Sequence, residues 1–142
     1  MKNKQYLLDT NILIEFMKGN SAFVGHILKA GTEHCCMSVV SLQELYFGAY
    51  KAKEKKQEYY EKELMRIGKL RERITVLPLP EEADGYGLIK MELRKKGNRV
   101  DEFDMLVGGH ALSAGLTVVT DNVKHFAPMP GVKVENWMEQ PE

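Results

Sequence analysis

The sequence has no net charge, very little cysteine and no long apolar run. Its 142 residues contain 20 lysines and arginines and 20 aspartates and glutamates, so the overall charge does not point to nucleic acid. No stretch is apolar enough to span a membrane and no basic-then-apolar leader opens the chain, so we expect a cytoplasmic protein with no membrane association. The two cysteines, Cys35 and Cys36, are adjacent in an apolar segment, which favours buried thiols over a disulfide.

What the sequence does contain is an alternation of short apolar runs and amphipathic segments. Hydrophobic residues make up 44% of the chain and charged residues 28%, which is ordinary for a globular protein, and the length suits one domain over residues 1–142. The predicted strands lie within residues 6–8, 35–40, 74–77, 116–120 and 132–135. Because helical segments separate them, we expect a three-layer α/β/α sandwich with a mostly parallel sheet of four to five strands.

Several residues predict where helices begin. Ser41 is followed three residues later by Glu44, which is the spacing of a capping box and predicts a helix that opens at Ser41. Glu81 and Glu82 are expected in the first turn of a later helix, where they would complement its dipole. A further helix is predicted over residues 101–114. The two glycines in its middle are expected to allow close approach of a neighbouring element.

Four acidic residues occupy similar places in this pattern. Asp9 and Asp121 follow predicted strands, and Glu44 and Asp104 lie early in predicted helices. If the carboxyl ends of the strands share one edge of the sheet, these acids lie close together. Two carboxylates about 4 Å apart repel by roughly 4 kcal/mol at an effective dielectric constant near 20, so either some of the acids are protonated or a divalent cation lies among them. An all-oxygen ligand set favours Mg²⁺ or Mn²⁺ and suits phosphoryl chemistry.

Each acid also has a purely local interpretation. Asp9 could cap the helix that follows it, and Glu44 could serve only in the capping box. Asp104 could be present because acids are favourable in a first helical turn, and Asp121 could be a turn residue. Spacing alone leaves both interpretations open for all four.

Four segments resemble, in order, the motifs of PIN-domain ribonucleases. They are residues 7–14 (LLDTNILI), 41–48 (SLQELYFG), 103–111 (FDMLVGGHA) and 118–126 (VVTDNVKHF). The chain is similar over nearly its full length, and its size resembles the VapC-type toxins of toxin–antitoxin pairs. The resemblance implies a Mg²⁺- or Mn²⁺-dependent endoribonuclease with RNA as substrate, a VapB-like antitoxin as partner and a toxin homodimer.

The resemblance also assigns site residues. Asp9, Glu44 and Asp104 match the metal-binding and catalytic acids of the family, with Asp9 and Asp104 expected on the metal and Glu44 on the attacking water. Two differences stand out: Asn122 occupies the place of a fourth acid, with Asp121 one residue earlier, and a glycine pair replaces the small alanines usual after the third acid. Either Asp121 or Asn122 could therefore complete the site. Thr10, Asn11 and Asn122 are expected to orient the ligands.

Four cations precede the third acid and could contact RNA phosphates, although they could equally well only complement a helix C-terminus. They are Arg94, Lys95, Lys96 and Arg99. His110 and His125 are expected to be structural rather than catalytic. An aromatic group on the predicted helical hairpin is either core or interface, and it comprises Tyr46, Phe47, Tyr50, Tyr59 and Tyr60.

Two other functions fit parts of this pattern. A haloacid-dehalogenase-type phosphatase also has an aspartate after its first strand, but it requires a second acid at the position of Asn11. A catalytically degenerate PIN fold that only binds a partner is disfavoured because the three matching acids are intact.

Overall fold

A five-stranded parallel sheet forms the centre of the computed structural model, which describes residues 3–137; the predicted domain of residues 1–142 extends past both ends of that range. The strands are β1 (Tyr6–Leu8), β2 (Cys35–Ser38), β3 (Thr75–Leu77), β4 (Thr117–Val119) and β5 (Lys133–Glu135). Their order across the sheet is β3-β2-β1-β4-β5, and every neighbouring pair is parallel. The predicted α/β fold with a parallel sheet is confirmed.

Helices cover both faces of this sheet. They are α1 (Thr10–Met17), α2 (Ser21–Ala30), α3 (Val39–Lys55), α4 (Gln57–Arg73), α5 (Gly85–Lys95), α6 (Glu102–Ala114) and α7 (Val123–Phe126), with a 3₁₀ turn at Thr32–His34. None of these helices has the combination of length and apolar character that crossing a membrane requires, as far as residues 3–137 are concerned. The break between α3 and α4 falls at Lys56, at the end of the charged run.

Alternate residues of the strands belong to two separate cores. Leu8, Cys35 and Val119 pack with the helices α1 to α4 on one face, whereas Leu7 and Cys36 pack with α5, α6 and α7 on the other. Strands that are buried on both faces need apolar side chains at every position, which explains why the runs show no polar alternation. Both cysteines are free and buried, and burial raises their pKa values, to about 11 for Cys35 and about 12 for Cys36.

The strand order reverses between β1 and β4. The chain proceeds outward from β1 through β2 to β3 on one side, and then returns to place β4 and β5 on the other. The crevice outside the carboxyl ends of two such strands is where open α/β sheets bind ligands. Here those ends are followed by Asp9 and Thr120.

Two predicted helix starts are wrong. Helix α3 begins at Val39 and is capped by Ser38, whose Oγ accepts a hydrogen bond from the Val40 amide at 3.0 Å, so Ser41 lies inside the helix. Helix α5 begins at Gly85, and the acids at 81–82 therefore precede it and do not occupy its first turn. Helix α3 follows directly on the end of β2 at Ser38, whereas seven residues separate the end of β3 from α5.

The glycine pair of α6 does bring two helices together. A Cβ atom at Gly109 would lie 2.5 Å from the backbone nitrogen of Tyr86 in α5, and one at Gly85 would lie 2.3 Å from the Gly109 carbonyl oxygen. Neither position can therefore carry a larger residue without moving backbone. At Gly108 a Cβ atom would instead meet the sulfur of Met129, which belongs to a flexible side chain and not to backbone.

Candidate active site

Asp9 lies between β1 and α1, at the reversal of strand order. Its backbone amide donates to the Val119 carbonyl at 2.9 Å, which fixes it against the end of β4. Its Oδ1 accepts from the Thr10 amide at 2.8 Å, and its Oδ2 accepts from the Thr120 hydroxyl at 2.9 Å. Asp9 is thus a helix cap, as the local interpretation required, and is also bonded across the crevice to the neighbouring strand.

Asp9 carries an unfavourable charge in this position. Only 5% of the residue is exposed, and this burial is the main reason why its pKa is raised to about 6. The two hydrogen bonds from Thr120 and Thr10 act in the opposite direction. The charges of Asp104 and Glu44 raise the pKa further, so both of these acids are close enough to act on Asp9.

Glu44 projects from the second turn of α3. Because Ser38 caps this helix, Glu44 is its sixth residue and does not belong to a capping box. Glu44 is half-buried and lines a cavity of about 390 Å³ together with Thr10 and Asn11. Because Ser38 and not Ser41 caps the helix, the presence of Glu44 cannot be explained by a capping box.

Asp104 lies in the first turn of α6 and contacts a histidine. It is the third residue of the helix, whose cap is Asp101, so the favourable effect of the helix dipole applies to it as well. Its Oδ2 lies 2.8 Å from Nδ1 of His125, whose side chain is 48% exposed. The side-chain nitrogen of Asn122 lies 3.3 Å from the same ring nitrogen.

Asp121 and Asn122, the two candidates for completing the site beside Asp9, Glu44 and Asp104, differ in their surroundings. Asn122 is held by a hydrogen bond from its amide to the Thr120 hydroxyl at 2.9 Å, and its side chain faces His125. Asp121 is exposed, and within the described part of the chain no hydrogen bond or ion pair joins it to Asp9, Glu44 or Asp104. The geometry brings Asn122 into the group and leaves Asp121 outside it.

Comparison with known proteins identifies the family. The PIN-domain family model matches residues 6–129. Ribonuclease VapC2 of Haemophilus influenzae is 33% identical over 135 residues, covering 94% of this chain and 98% of the relative. A tRNA(fMet)-specific endonuclease VapC of Salmonella typhimurium is also 33% identical over 134 residues, with the same coverage. The DNA-bound VapBC structure from Salmonella typhimurium superposes with a TM-score of 0.83 at 32% identity, covering 94% of this chain and 98% of that one.

The chain belongs to the VapC ribonucleases of the PIN-domain family. The predicted identity as a VapC-type ribonuclease toxin is thereby confirmed, and the phosphatase alternative is removed. Ribonucleases with this domain generally depend on a divalent metal ion.

The acids of this VapC chain suit such an ion by their chemistry. All of their ligand atoms are oxygens, and the hydroxyl of Thr10 is buried beside Asp9 without a hydrogen-bond partner among the described residues. A cation would offset the cost of burying the Asp9 charge, which is the main reason for its raised pKa, as well as the repulsion from Asp104 and Glu44. As the side chains stand, however, no three acidic, histidine or cysteine groups within residues 3–137 are close enough to enclose a metal. Asp104 is instead bonded to His125.

The predicted RNA-contacting cations of the VapC chain separate into two groups. Arg94 and Lys95 lie in the last turn of α5 with Lys96 as its C-cap, which agrees with the local interpretation of these three. Arg99 lies beyond the helix and lines a cavity with His125. The sequence did not single out Lys51 and Arg66, which line the same cavity as Glu44; Lys51 begins a run of charges, and Arg66 lies in a separate helix.

Sequence reasoning also missed the contact of His125 with Asp104. The two residues are 21 apart in sequence and meet only because α7 packs against α6. Asn122 and His125 are three residues apart at the start of a short helix. This spacing places their side chains near each other and was the signal available in the sequence. The second histidine, His110, is buried, and its Nδ1 lies 2.7 Å from the Ser38 hydroxyl, which agrees with a structural role.

Proposed function

We propose that this chain is a Mg²⁺- or Mn²⁺-dependent endoribonuclease that acts as the toxin of a toxin–antitoxin pair in the cytoplasm. The observation that carries the proposal is the buried carboxylate of Asp9 at the strand-order reversal, subject to the charges of both Asp104 and Glu44. A buried acid near two other acids is unfavourable in the free protein and becomes favourable when a cation is shared between them.

The three acids take different roles in this proposal. Asp9 and Asp104 hold the metal, and Glu44 orients or deprotonates the water that attacks the phosphodiester. When bound, the ion supplies a more acidic water and neutralises charge on the phosphoryl oxygens. The products are a 5′-phosphate and a 3′-hydroxyl. Cleavage of this kind requires no histidine base.

Three neighbours position these acids, and a fourth lies at the rim of the site. Thr120 fixes Oδ2 of Asp9, and the free hydroxyl of Thr10 lies beside the same carboxylate. Asn122, rather than Asp121, serves the far end of the site, because its amide and side chain face the group. Asn11 is exposed on the rim of the cavity that Glu44 lines, where it is available to RNA.

A VapB-like antitoxin and a second copy of the chain are the proposed protein partners. Solved relatives include VapBC complexes from Rickettsia felis and Salmonella typhimurium. In this chain the helical hairpin of α3 and α4 exposes aromatic side chains, with 63% of Phe47, 56% of Tyr50 and 42% of Tyr59 accessible. Exposed aromatics are enriched at protein interfaces, and they support a homodimer or antitoxin contact on the hairpin.

The test is cleavage of RNA by purified wild type and by two variants, Asp9→Asn and Asp104→Asn. We expect both substitutions to reduce the cleavage rate at least about 100-fold, because each removes a charged metal ligand. Asp84→Asn is the matched control, because Asp84 is an exposed aspartate at the opposite end of α5 from the site. Full activity in the Asp104 variant, or wild-type cleavage that survives removal of divalent ions, would refute the assignment.

Calorimetry separates an enzyme from a protein that only binds. Wild type should bind Mg²⁺ or Mn²⁺, and the Asp9→Asn variant should not. Metal binding without any cleavage of cellular RNA would favour the degenerate binding module. Growth arrest on expression, relieved by co-expression of the cognate antitoxin, tests the toxin role.

A further inference from the structure

A small cavity adjoins the candidate active site on the side of α7. Its volume is about 230 Å³, and it is lined by the segment that joins α5 to α6 and by residues of α7 and the turn after it. The lining includes Asn98, Arg99, Asp101, Lys124 and His125. A water molecule occupies about 30 Å³ in the liquid, so the space is ample for a phosphate group.

The cavity is positively charged. Arg99 and Lys124 are both exposed, and neither forms an ion pair within the part of the chain that the structure describes. The one acid in the lining, Asp101, is already engaged because its Oδ1 accepts from the Phe103 amide at 2.8 Å. Two unpaired cations therefore outweigh one carboxylate.

The position of His125 connects this cavity to the metal-binding acids. The same ring that lines the cavity has its Nδ1 2.8 Å from Oδ2 of Asp104. A group bound between Arg99 and Lys124 would thus lie one side chain away from Asp104. The chain reaches this arrangement because Gly97, with φ of +70°, ends α5 and turns the following residues toward the site.

We propose that Arg99 and Lys124 bind a phosphate of the RNA strand next to the one that is cleaved. This inference rests on the proposed ribonuclease function and names a part of its substrate site. An acidic centre repels RNA, so cations are required immediately beside it. Cations that contact only phosphates anchor the strand without selecting its sequence.

The remaining basic residues before α6 are less suited to this task. Arg94 and Lys95 are in the last turn of α5, and Lys95 pairs with Glu92 at 3.6 Å. Neither of them, nor Lys96, lines the cavity that contains His125. Among the four cations predicted from sequence, the geometry selects Arg99 and adds Lys124.

The experiment measures binding of a fluorescent single-stranded RNA as a function of salt, with Mg²⁺ present. Every protein carries Glu44→Gln, so that the RNA stays intact. The test variant adds Arg99→Gln and Lys124→Gln. The control variant instead adds Lys29→Gln and Lys133→Gln, which removes the same charge from exposed positions on α2 and at the amino end of β5. Circular dichroism and Mg²⁺ affinity confirm that both variants retain the fold and the metal site.

Loss of one phosphate contact should lower the magnitude of the slope of log K against log[salt] by about 0.7. Because Arg99 and Lys124 bind the same phosphate in this proposal, the double variant should lose about 0.7, with affinity at 0.15 M salt reduced roughly four-fold and equally for RNAs of different sequence. When Arg99→Gln and Lys124→Gln are made in the protein that retains Glu44, KM for RNA cleavage should rise while kcat changes little. The control variant should match its parent.

Failure of the phosphate site and failure of the ribonuclease function give different results, where the active parent is the protein that retains Glu44. If the active parent cleaves RNA but the double variant keeps the slope and affinity of the control, the phosphate site is wrong and the ribonuclease function stands. If the active parent does not cleave RNA, the proposed function is wrong, and the slope of the double variant alone decides whether the cavity binds RNA. A parent that binds no RNA would overturn both.

Discussion

Replacing Asp9 with asparagine should stabilise the metal-free protein at pH 8, even though it removes a residue that we assign to the active site. The carboxylate is buried, and its pKa is about 6 instead of 3.8. Ionising it in the folded protein is therefore less favourable than in the unfolded chain. An asparagine has nearly the same shape and carries no charge.

The sign follows from proton linkage. Between pH 3.8 and about 6 the folded protein holds the Asp9 proton more tightly than the unfolded chain, so wild-type stability falls as pH rises through this range. Each pKa unit corresponds to 1.36 kcal/mol, which gives a full effect of about 3 kcal/mol above pH 7. The asparagine keeps its oxygen toward the Thr10 amide, and its NH₂ group can donate to the Thr120 hydroxyl, so most of this should be recovered.

The assay is urea denaturation of wild type and Asp9→Asn in the presence of EDTA at several pH values. At pH 4 the two proteins should have similar free energies of unfolding, because wild-type Asp9 is then mostly protonated. At pH 8 the variant should be more stable by about 1–3 kcal/mol. Asp121→Asn, at an exposed position, should show no such pH-dependent difference.

Adding Mg²⁺ should reverse the order at pH 8, because binding to the folded state stabilises only the protein that binds. A variant that is less stable than wild type by the same amount at every pH would refute the reasoning. It would mean that the hydrogen bonds to Asp9 outweigh the penalty of burying its charge.

Thr120→Val keeps the shape of the side chain but removes the donor to Oδ2 of Asp9, so Mg²⁺ affinity by calorimetry should fall about 10- to 100-fold, whereas Thr117→Val on the same strand should leave it unchanged. An unchanged affinity in the first variant would show that this hydroxyl does not orient the ligand. Gly109→Ala places a Cβ atom within 2.6 Å of α5 backbone and should lower the free energy of unfolding by roughly 2–4 kcal/mol in urea. Gly68→Ala, in open space within α4, should instead raise it by about 0.5–1 kcal/mol, and equal effects of the two would contradict the packing argument.

The positions of the strands and the edge that carries the acids were predictable from the sequence, whereas the order of the strands across the sheet was not predicted. Runs such as Tyr6–Leu8 are apolar at every position because both faces of the sheet are covered, and that pattern is local. Asp9 follows such a run directly. Its position at the carboxyl end of a strand therefore required no knowledge of long-range contacts.

The cap of α3 was not predictable in the same way. Ser38 and Ser41 both carry a hydroxyl that could cap a helix, and only Ser41 has a glutamate at the right spacing. Ser38 is the cap of α3 because β2 stays paired with β3 up to Ser38 and then ends. Such pairing depends on residues almost 40 positions away, and it determines whether Glu44 is a capping residue or is free for the site.

The far end of the site depends on a contact between side chain and backbone that spacing does not reveal. The Thr120 hydroxyl accepts from the Asn122 amide, and this local turn sends Asn122 toward His125 while Asp121 stays exposed. Two adjacent polar residues therefore cannot be told apart by their identities. Their difference arises from a hydroxyl that also donates to Asp9.

That hydroxyl explains how one residue can influence both ends of the site. Thr120 is fully buried, donates to Asp9 and accepts from Asn122, whose side chain meets the ring that contacts Asp104. Nδ1 of His125 cannot both accept from the Asn122 side chain and donate to Asp104, so these contacts do not form one continuous series of hydrogen bonds. Thr120 instead holds the Asp9 carboxylate directly and, through the Asn122 amide, fixes the turn that precedes His125. Because Asp9 is destabilised mainly by its own burial, the Thr120 hydroxyl keeps it in place until a cation compensates its charge. Loss of the Thr120 hydroxyl should consequently alter the position of His125 beside Asp104 as well as that of Asp9.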